Sequence, residues 1–258
     1  MLYPRIIPCL LIKDKGLVKT TNFKNPVYVG DPINAVKIFN EKEVDELIVI
    51  DIDASKNNVE PNYELISHLA LESRMPLCYG GGIKSYKQAL KILSMGVEKI
   101  ALGSVAIENP IIISEIAEIV GNQSIVAVID IKKKRFSKNY DIFTINAKNK
   151  SDLNVFDAIN TFEKLGCGEL LVNSIDRDGT MIGYDKEIVE KIIESINIPI
   201  TILGGAGSLQ DIEDLIHSFG TIGIAAGSLF VFKGKYKAVL INYPDNETKE
   251  KLVINSLS

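Results

Sequence analysis

The sequence predicts one α/β domain folded as a (β/α)8 barrel, and three observations point there. Short β-branched runs alternate with amphipathic helical stretches along the chain. The runs are continuously apolar, the pattern of strands buried on both faces of a parallel sheet. Eight such strand–helix units occupy roughly 230 residues, a length suited to a closed barrel. The 258 residues, 46% of them apolar, support one large core without disulfide staples. A doubly wound open sheet usually has fewer strands and a GxGxxG turn, and no such turn is present.

Strands are expected at 5–12, 46–51, 75–80, 98–103, 124–130, 168–173, 198–203 and 221–226. Helices are expected between them, among others at 32–43, 85–96, 109–121 and 185–196. Pro32 and Pro110 fall in first helical turns, and Gly96 and Gly121 fall where helices stop. The two halves repeat. YGGGI (79–83) recurs as LGGAG (203–207), and Gly103-Ser104 as Gly227-Ser228, each 124 residues on. LLIK (10–13) recurs as IDIK (129–132), 119 residues on, which aligns Leu11 with Asp130. The single domain 1–258 is therefore expected as half-barrels of about 1–122 and 123–232 with a tail at 233–258. In that tail KYKAVLINY reads as an exposed strand ended by Pro244, a ready pairing edge.

Composition narrows the function. A net charge of -4 without a block of one sign argues against nucleic acid as the main ligand. Cys9, Cys78 and Cys167 form no CxxC pair, so neither a disulfide framework nor a zinc site is expected, and they read as buried small apolar residues. No apolar run reaches the roughly 20 residues of a membrane helix. The apolar stretch 6–13 is too short for a signal peptide and holds Pro8, so a soluble, cytoplasmic protein is expected. No cofactor and no metal are expected. His68 and His217 lie on predicted helices without ligand-type neighbours, and no nucleophile–histidine pair suggests glutamine hydrolysis by this chain. KKKR (132–135) is expected to open a solvated hairpin at the barrel mouth.

Glycines cluster after strands three, four, seven and eight, where close backbone approach and free N–H groups suit an anion. The half-repeat supplies the arrangement twice: Gly81, Gly82, Gly103 and Ser104 on one side, Gly204, Gly205, Gly227 and Ser228 on the other. Two such pockets suit a small molecule phosphorylated at both ends, or free phosphate ions. Acidic residues end strands two, five and six, where a barrel carries its chemistry: Asp51, Asp130, Asp176 and Asp178. Asp130 is the candidate general acid/base. Asp51 serves equally well as an acceptor for loop backbone. Asp178 reads either as a loop cap or as a ligand contact.

These residues carry a family likeness. RIIPCL, KTTNF, GDP, DELIVIDIDAS, YGGGI, VAIENP, AVIDIK, GELLVNSIDRDGT, GYD and GGAG resemble the HisF-type cyclase subunit of imidazole glycerol phosphate synthase, from about residue 4 to 232. The resemblance implies a barrel whose top binds a bisphosphorylated aminoimidazole ribonucleotide. Ammonia from a separate glutaminase would travel through the barrel for ring closure and lyase cleavage. It also implies two catalytic aspartates. One is Asp130; the other falls on Leu11, which cannot move a proton. Gly103 stands where the family has asparagine, Asn146 where it has serine and Asn173 where it has threonine. Lys19, on a mobile first loop, and the phosphate positions Gly82, Gly205 and Ser228 are kept. So is a charged gate for ammonia at the barrel bottom: Arg5, Glu46, Lys99 and Glu169.

The same resemblance implies an eighth amphipathic helix that the tail reading leaves out. The departures look closer to HisF-like paralogues that work with a glutaminase-like partner and a sugar amidotransferase in surface-saccharide biosynthesis. Three functions are therefore expected in competition: ammonia delivery for saccharide amidation, a genuine cyclase of histidine biosynthesis, and a non-catalytic scaffold that activates the glutaminase.

Overall fold

The structure, a computed structural model, describes residues 3–257. Eight strands form the barrel: β1 Arg5–Lys13, β2 Leu47–Asp51, β3 Leu77–Gly80, β4 Lys99–Leu102, β5 Ile125–Lys133, β6 Glu169–Ser174, β7 Ile200–Leu203 and β8 Gly223–Ala226. All pair in parallel with their neighbours, and β8 returns to β1 with Arg5 beside Gly223 and Pro8 beside Ala226. The expected α/β (β/α)8 barrel is therefore present. Around it lie α1 Pro32–Glu41, α2 Tyr63–Glu72, α3 Tyr86–Leu93, α4 Ser104–Glu108, α5 Ile111–Val120, α6 Val155–Lys164, α7 Lys186–Ile193, α8 Leu209–Phe219, α9 Ser228–Val231 and α10 Asn246–Leu257.

Local chemistry sets the helix ends. Asp31 accepts from the Asn34 amide ahead of Pro32, and Ser208 forms a capping box with Asp211. The helix expected over 109–121 is present as α5, with Pro110 at its N-cap and Gly121 at its C-cap, and the short α4 is a separate turn that ends before Pro110, which lacks an N–H.

Each barrel strand is apolar on both faces but feeds two cores. Ile6, Leu10, Val49, Ile100 and Ile129 point outward into the large core under the helices. Ile7, Cys9, Ile48, Cys78, Val126 and Leu171 point inward into a smaller core that fills the barrel. The period-2 geometry of a strand thus sorts one continuous run into two environments.

Three departures concern the loops and the tail. The first loop, expected as mobile, is a hairpin of Gly16–Thr21 and Lys24–Gly30, turned at Asn22 and Phe23 with φ of 51° and 60°. Its first strand extends the sheet from β1, Leu11 facing Val18. The KKKR segment does open a hairpin: β5 pairs with Tyr140–Thr144, Asp130 facing Phe143. The strand expected over 235–243 shrinks to Ala238–Val239, paired with Phe232–Lys233. Beyond it α10 forms and lies against α8, so the eighth helix is present. Pro244 ends the extended segment, and Asp245 then accepts from the Thr248 amide and starts the helix. Tyr243 seats the tail by donating its hydroxyl to the Ile6 carbonyl at 2.8 Å. Among the described residues no helix is long and apolar enough to cross a membrane.

The turn after β3 cannot accept a side chain. Gly81 has φ of 112°, and a Cβ there would lie 2.3 Å from the Asp51 carbonyl oxygen. Gly81→Ala should destabilise the protein by more than about 2 kcal/mol in urea unfolding, since strain and collision combine. A loss below about 0.5 kcal/mol would show that the turn relaxes freely.

Candidate functional site

The inward rows of the strands define two polar levels separated by an apolar one. At the N-terminal end, Arg5, Glu46, Lys99 and Glu169 form a closed ring of charges. Lys99 Nζ lies 3.0 Å from Glu46 and 2.9 Å from Glu169. Arg5 bonds Glu169 at 2.7 Å through one nitrogen and Glu46 through the other. The carboxylates are 3% and 6% exposed, so the two cations offset the cost of burying their charge. Burial alone would raise the Glu169 pKa, but the bonds and charges of Arg5 and Lys99 outweigh it and hold it below the usual range. Thr201, fully buried on β7, donates its hydroxyl to Glu169. This fifth member went unread in the sequence, although a threonine inside the apolar run IPITIL was the available sign.

At the opposite end lies a pocket lined by residues from all eight strand ends. The sequence candidates Lys19, Asp51, Gly82, Gly103, Ser104, Asp130, Asn146, Asn173, Asp178, Gly205, Gly227 and Ser228 all reach it, and so does Leu11. Asp176 does not line it; its carboxylate accepts from the Lys133 amide.

The register of β5 and β6 sets Asn173 beside Asp130, and the Asn173 Nδ2 donates to Asp130 Oδ1 at 3.0 Å. Burial pushes the Asp130 carboxyl up to about 7, although the Asn173 bond opposes the shift. Leu11, on the facing side of the ring, pairs with Ile50 and offers no proton-transfer group.

Several acidic and hydroxyl groups spend their bonds on the loops. Asp51 accepts from the Asp53 and Ala54 amides, each at 3.0 Å, and so holds the loop after β2. Asp178 accepts from the Thr20 hydroxyl at 2.7 Å and the Phe23 amide at 3.1 Å, and its carbonyl takes the Asn22 amide at 2.9 Å. It therefore latches the first hairpin over the pocket and brings Phe23 to its wall. Ser104 accepts from the Ile145 amide and so anchors the second hairpin. The Gly82 amide donates to Ser55.

Lys19, 5% exposed, donates Nζ to the Cys9 carbonyl, and burial lowers its pKa. A Cβ on Gly227 would stand 2.7 Å from that nitrogen, so a side chain there would push the amine aside. The phosphate-type turns of the second half thus meet an amine; those of the first half meet Ser55 and Ser104.

A closed barrel with a glycine-rich pocket at its strand C-termini and a buried carboxyl inside it defines a class of small-molecule barrel proteins. The chain belongs to the histidine biosynthesis protein family, whose model matches residues 5–237. It is 58% identical over 252 residues to a Leptospira borgpetersenii protein provisionally named imidazole glycerol phosphate synthase subunit HisF, covering 98% of this chain and 99% of that one. A Vibrio vulnificus protein with a similar provisional name is 54% identical over 251 residues, covering 97% and 96%. The imidazole glycerol phosphate synthase subunit HisF of Lactococcus lactis is 36% identical over 257 residues, covering 100% and 96%. The chain is thus similar throughout to HisF-type barrels.

The buried Asp130 has a consequence for stability. Its folded pKa, about 7, lies above the unfolded 3.8, so the folded state holds the proton more tightly. Stability should therefore fall as pH rises between about 4 and 7 and level off above it. Asp130→Asn should remove that slope, gaining on the wild type by about 2–4 kcal/mol from pH 5 to pH 8 in urea unfolding. An unchanged difference across that range would mean that Asp130 ionises freely in the fold.

Proposed function

We propose that this chain receives ammonia from a glutaminase subunit docked on its N-terminal face and delivers it for amidation in surface-saccharide biosynthesis. The observation that carries the reading is the contrast between the two ends of one barrel. The floor keeps all four charges of the ammonia gate that the resemblance implies, while the pocket above has Leu11 where a second proton-transfer group belongs. A floor of ion pairs is a poor means of stabilisation, because desolvating four charges offsets most of their attraction. Its retention fits a role in passage: Arg5 and Lys99 move aside and admit a small neutral molecule. An enclosed route keeps ammonia from being lost to water as ammonium.

In this reading Asp130 is the one acid/base group of the pocket. Gly205, Gly227 and Ser228 with Lys19 take one phosphate, and Gly82, Gly103 and Ser104 take the weaker second one. Asp51 and Asp178 act through the loops that they hold. Asn173 and Asn146 shape the wall between.

The second reading, a genuine cyclase of histidine biosynthesis, draws support from Asp130 itself. A carboxyl poised near neutrality suits general acid/base work without a partner. The relatives' names point the same way.

The two readings differ in rate. Supplied with the bisphosphorylated imidazole precursor and an ammonium salt, the purified chain should cyclise it about 10²–10⁴-fold more slowly than a HisF with both aspartates. Leu11→Asp alone should restore only part of the difference, since Gly103, Asn146 and Asn173 also depart. A rate within a few-fold of the two-aspartate enzyme, abolished by Asp130→Asn, would make the chain a cyclase.

A further inference from the structure

We infer that Asn173 and Asp130 together form a landing site for ammonia at the top of the barrel bore; the inference rests on the glutaminase-fed function proposed above. The inward row of β6 reads Glu169, Leu171, Asn173. Four residues of strand rise about 13 Å, so Asn173 stands that far above the charged floor in the same row. Between the two levels lies a collar that includes Ala101, Val128, Leu171 and Leu203. None of these side chains carries an oxygen. Among the inward-facing strand residues above the floor, only Asp130 and Asn173 do.

The asparagine is half satisfied. Its Nδ2 is committed to Asp130, and its Oδ1 is buried with no donor among the described residues. A buried amide oxygen without a donor is costly, so the position stabilises whatever brings one. The donor must be small, because the oxygen is itself buried, between the Asp130 contact on one side and the Gly204 turn on the other. Gly204, in the turn after β7, packs beside the oxygen without crowding it: a Cβ there would approach it to 3.3 Å.

Ammonia has the matching inventory of three N–H donors and one lone pair. It can donate to Asn173 Oδ1 and to the Asp130 carboxylate at once, with no bond made or broken. When Asp130 carries its proton, the O–H donates to the lone pair instead. A carboxyl near neutrality serves both arrangements. Asp178 adds negative charge to the same region, and Lys19 is tied to the Cys9 carbonyl. The threonine that the family resemblance implies at this position has one oxygen for both tasks. Asparagine divides them between two atoms, one holding Asp130 and one free for the ligand. Leu11 opposite offers nothing to compete.

The test follows Asp130 by carboxylate carbon NMR in the full chain, with Asp130→Asn to assign its signal. Ammonium chloride is the probe near neutral pH, against sodium and potassium chloride at equal ionic strength. The site predicts a saturable ammonium response at least tenfold tighter than that for potassium. Asn173→Val should weaken it at least tenfold while Asp130 still titrates, and Asn173→Thr should do the same if the valine variant fails to fold. No saturable response, an equal response to potassium, or an unchanged response in either variant would overturn the site. The measurement uses the barrel alone, so its failure leaves the proposed function standing. A normal cyclisation rate would overturn that function and leave this result intact.

Discussion

Two buried carboxylates at the base of the barrel constrain much of what lies above them. Glu46 stands directly before β2 and Glu169 opens β6, and both side chains are buried at the barrel floor. Each is paired there with two cations, since Arg5 and Lys99 each touch both. Removing one cation would leave an uncompensated charge in a low-dielectric interior, a loss of about 3–5 kcal/mol. Gly223 belongs to the same arrangement: a Cβ on it would lie 1.9 Å from the Thr201 hydroxyl and 3.1 Å from the Arg5 guanidinium. The ring is thus a unit of five side chains and one glycine. The apolar bore begins directly above it.

At the other end the same alternation produces the opposite result. The inward row of β5 ends on Asp130, and a single amide from Asn173 is its partner, so burial dominates and the carboxyl is held near neutrality. Ionic pairing governs the floor; desolvation governs the roof. In the function proposed above, the floor is the entrance for ammonia, and Leu11 leaves the roof with Asp130 as its acid/base candidate. The hairpin latched by Asp178 and the loops held by Asp51 and Ser104 then give this pocket its walls.

Most of the fold was legible in the sequence because buried parallel strands read as continuous apolar runs and glycine turns mark their ends. The pocket was legible for the same reason: in this architecture the functional residues follow the strands. What was not legible lies where backbone chemistry overrides composition. KTTNFKNP looks like a loop, yet Asn22 and Phe23 adopt left-handed conformations that turn a hairpin, held by an aspartate more than 150 residues away. The tail was misread because the β-branched residues of AVLINY outweigh the weakly amphipathic NETKEKLVINSL. Its helix starts at the Asp245 cap and packs against α8, neither of which composition shows. Thr201 escaped notice because a single threonine inside an apolar run has no motif; only the register shows that it faces Glu169.

The central claim is that ammonia enters at the floor of this barrel and leaves it without being built into an imidazole ring. Tracing nitrogen tests it most directly. The chain would be combined with its glutaminase, the sugar amidotransferase with its saccharide acceptor, and the imidazole precursor, then supplied with amide-15N glutamine. The account predicts label in the amidated saccharide, little in imidazole glycerol phosphate, and loss of the saccharide label when the barrel is omitted. Label accumulating chiefly in the imidazole product, or reaching the saccharide equally well without the barrel, would contradict it.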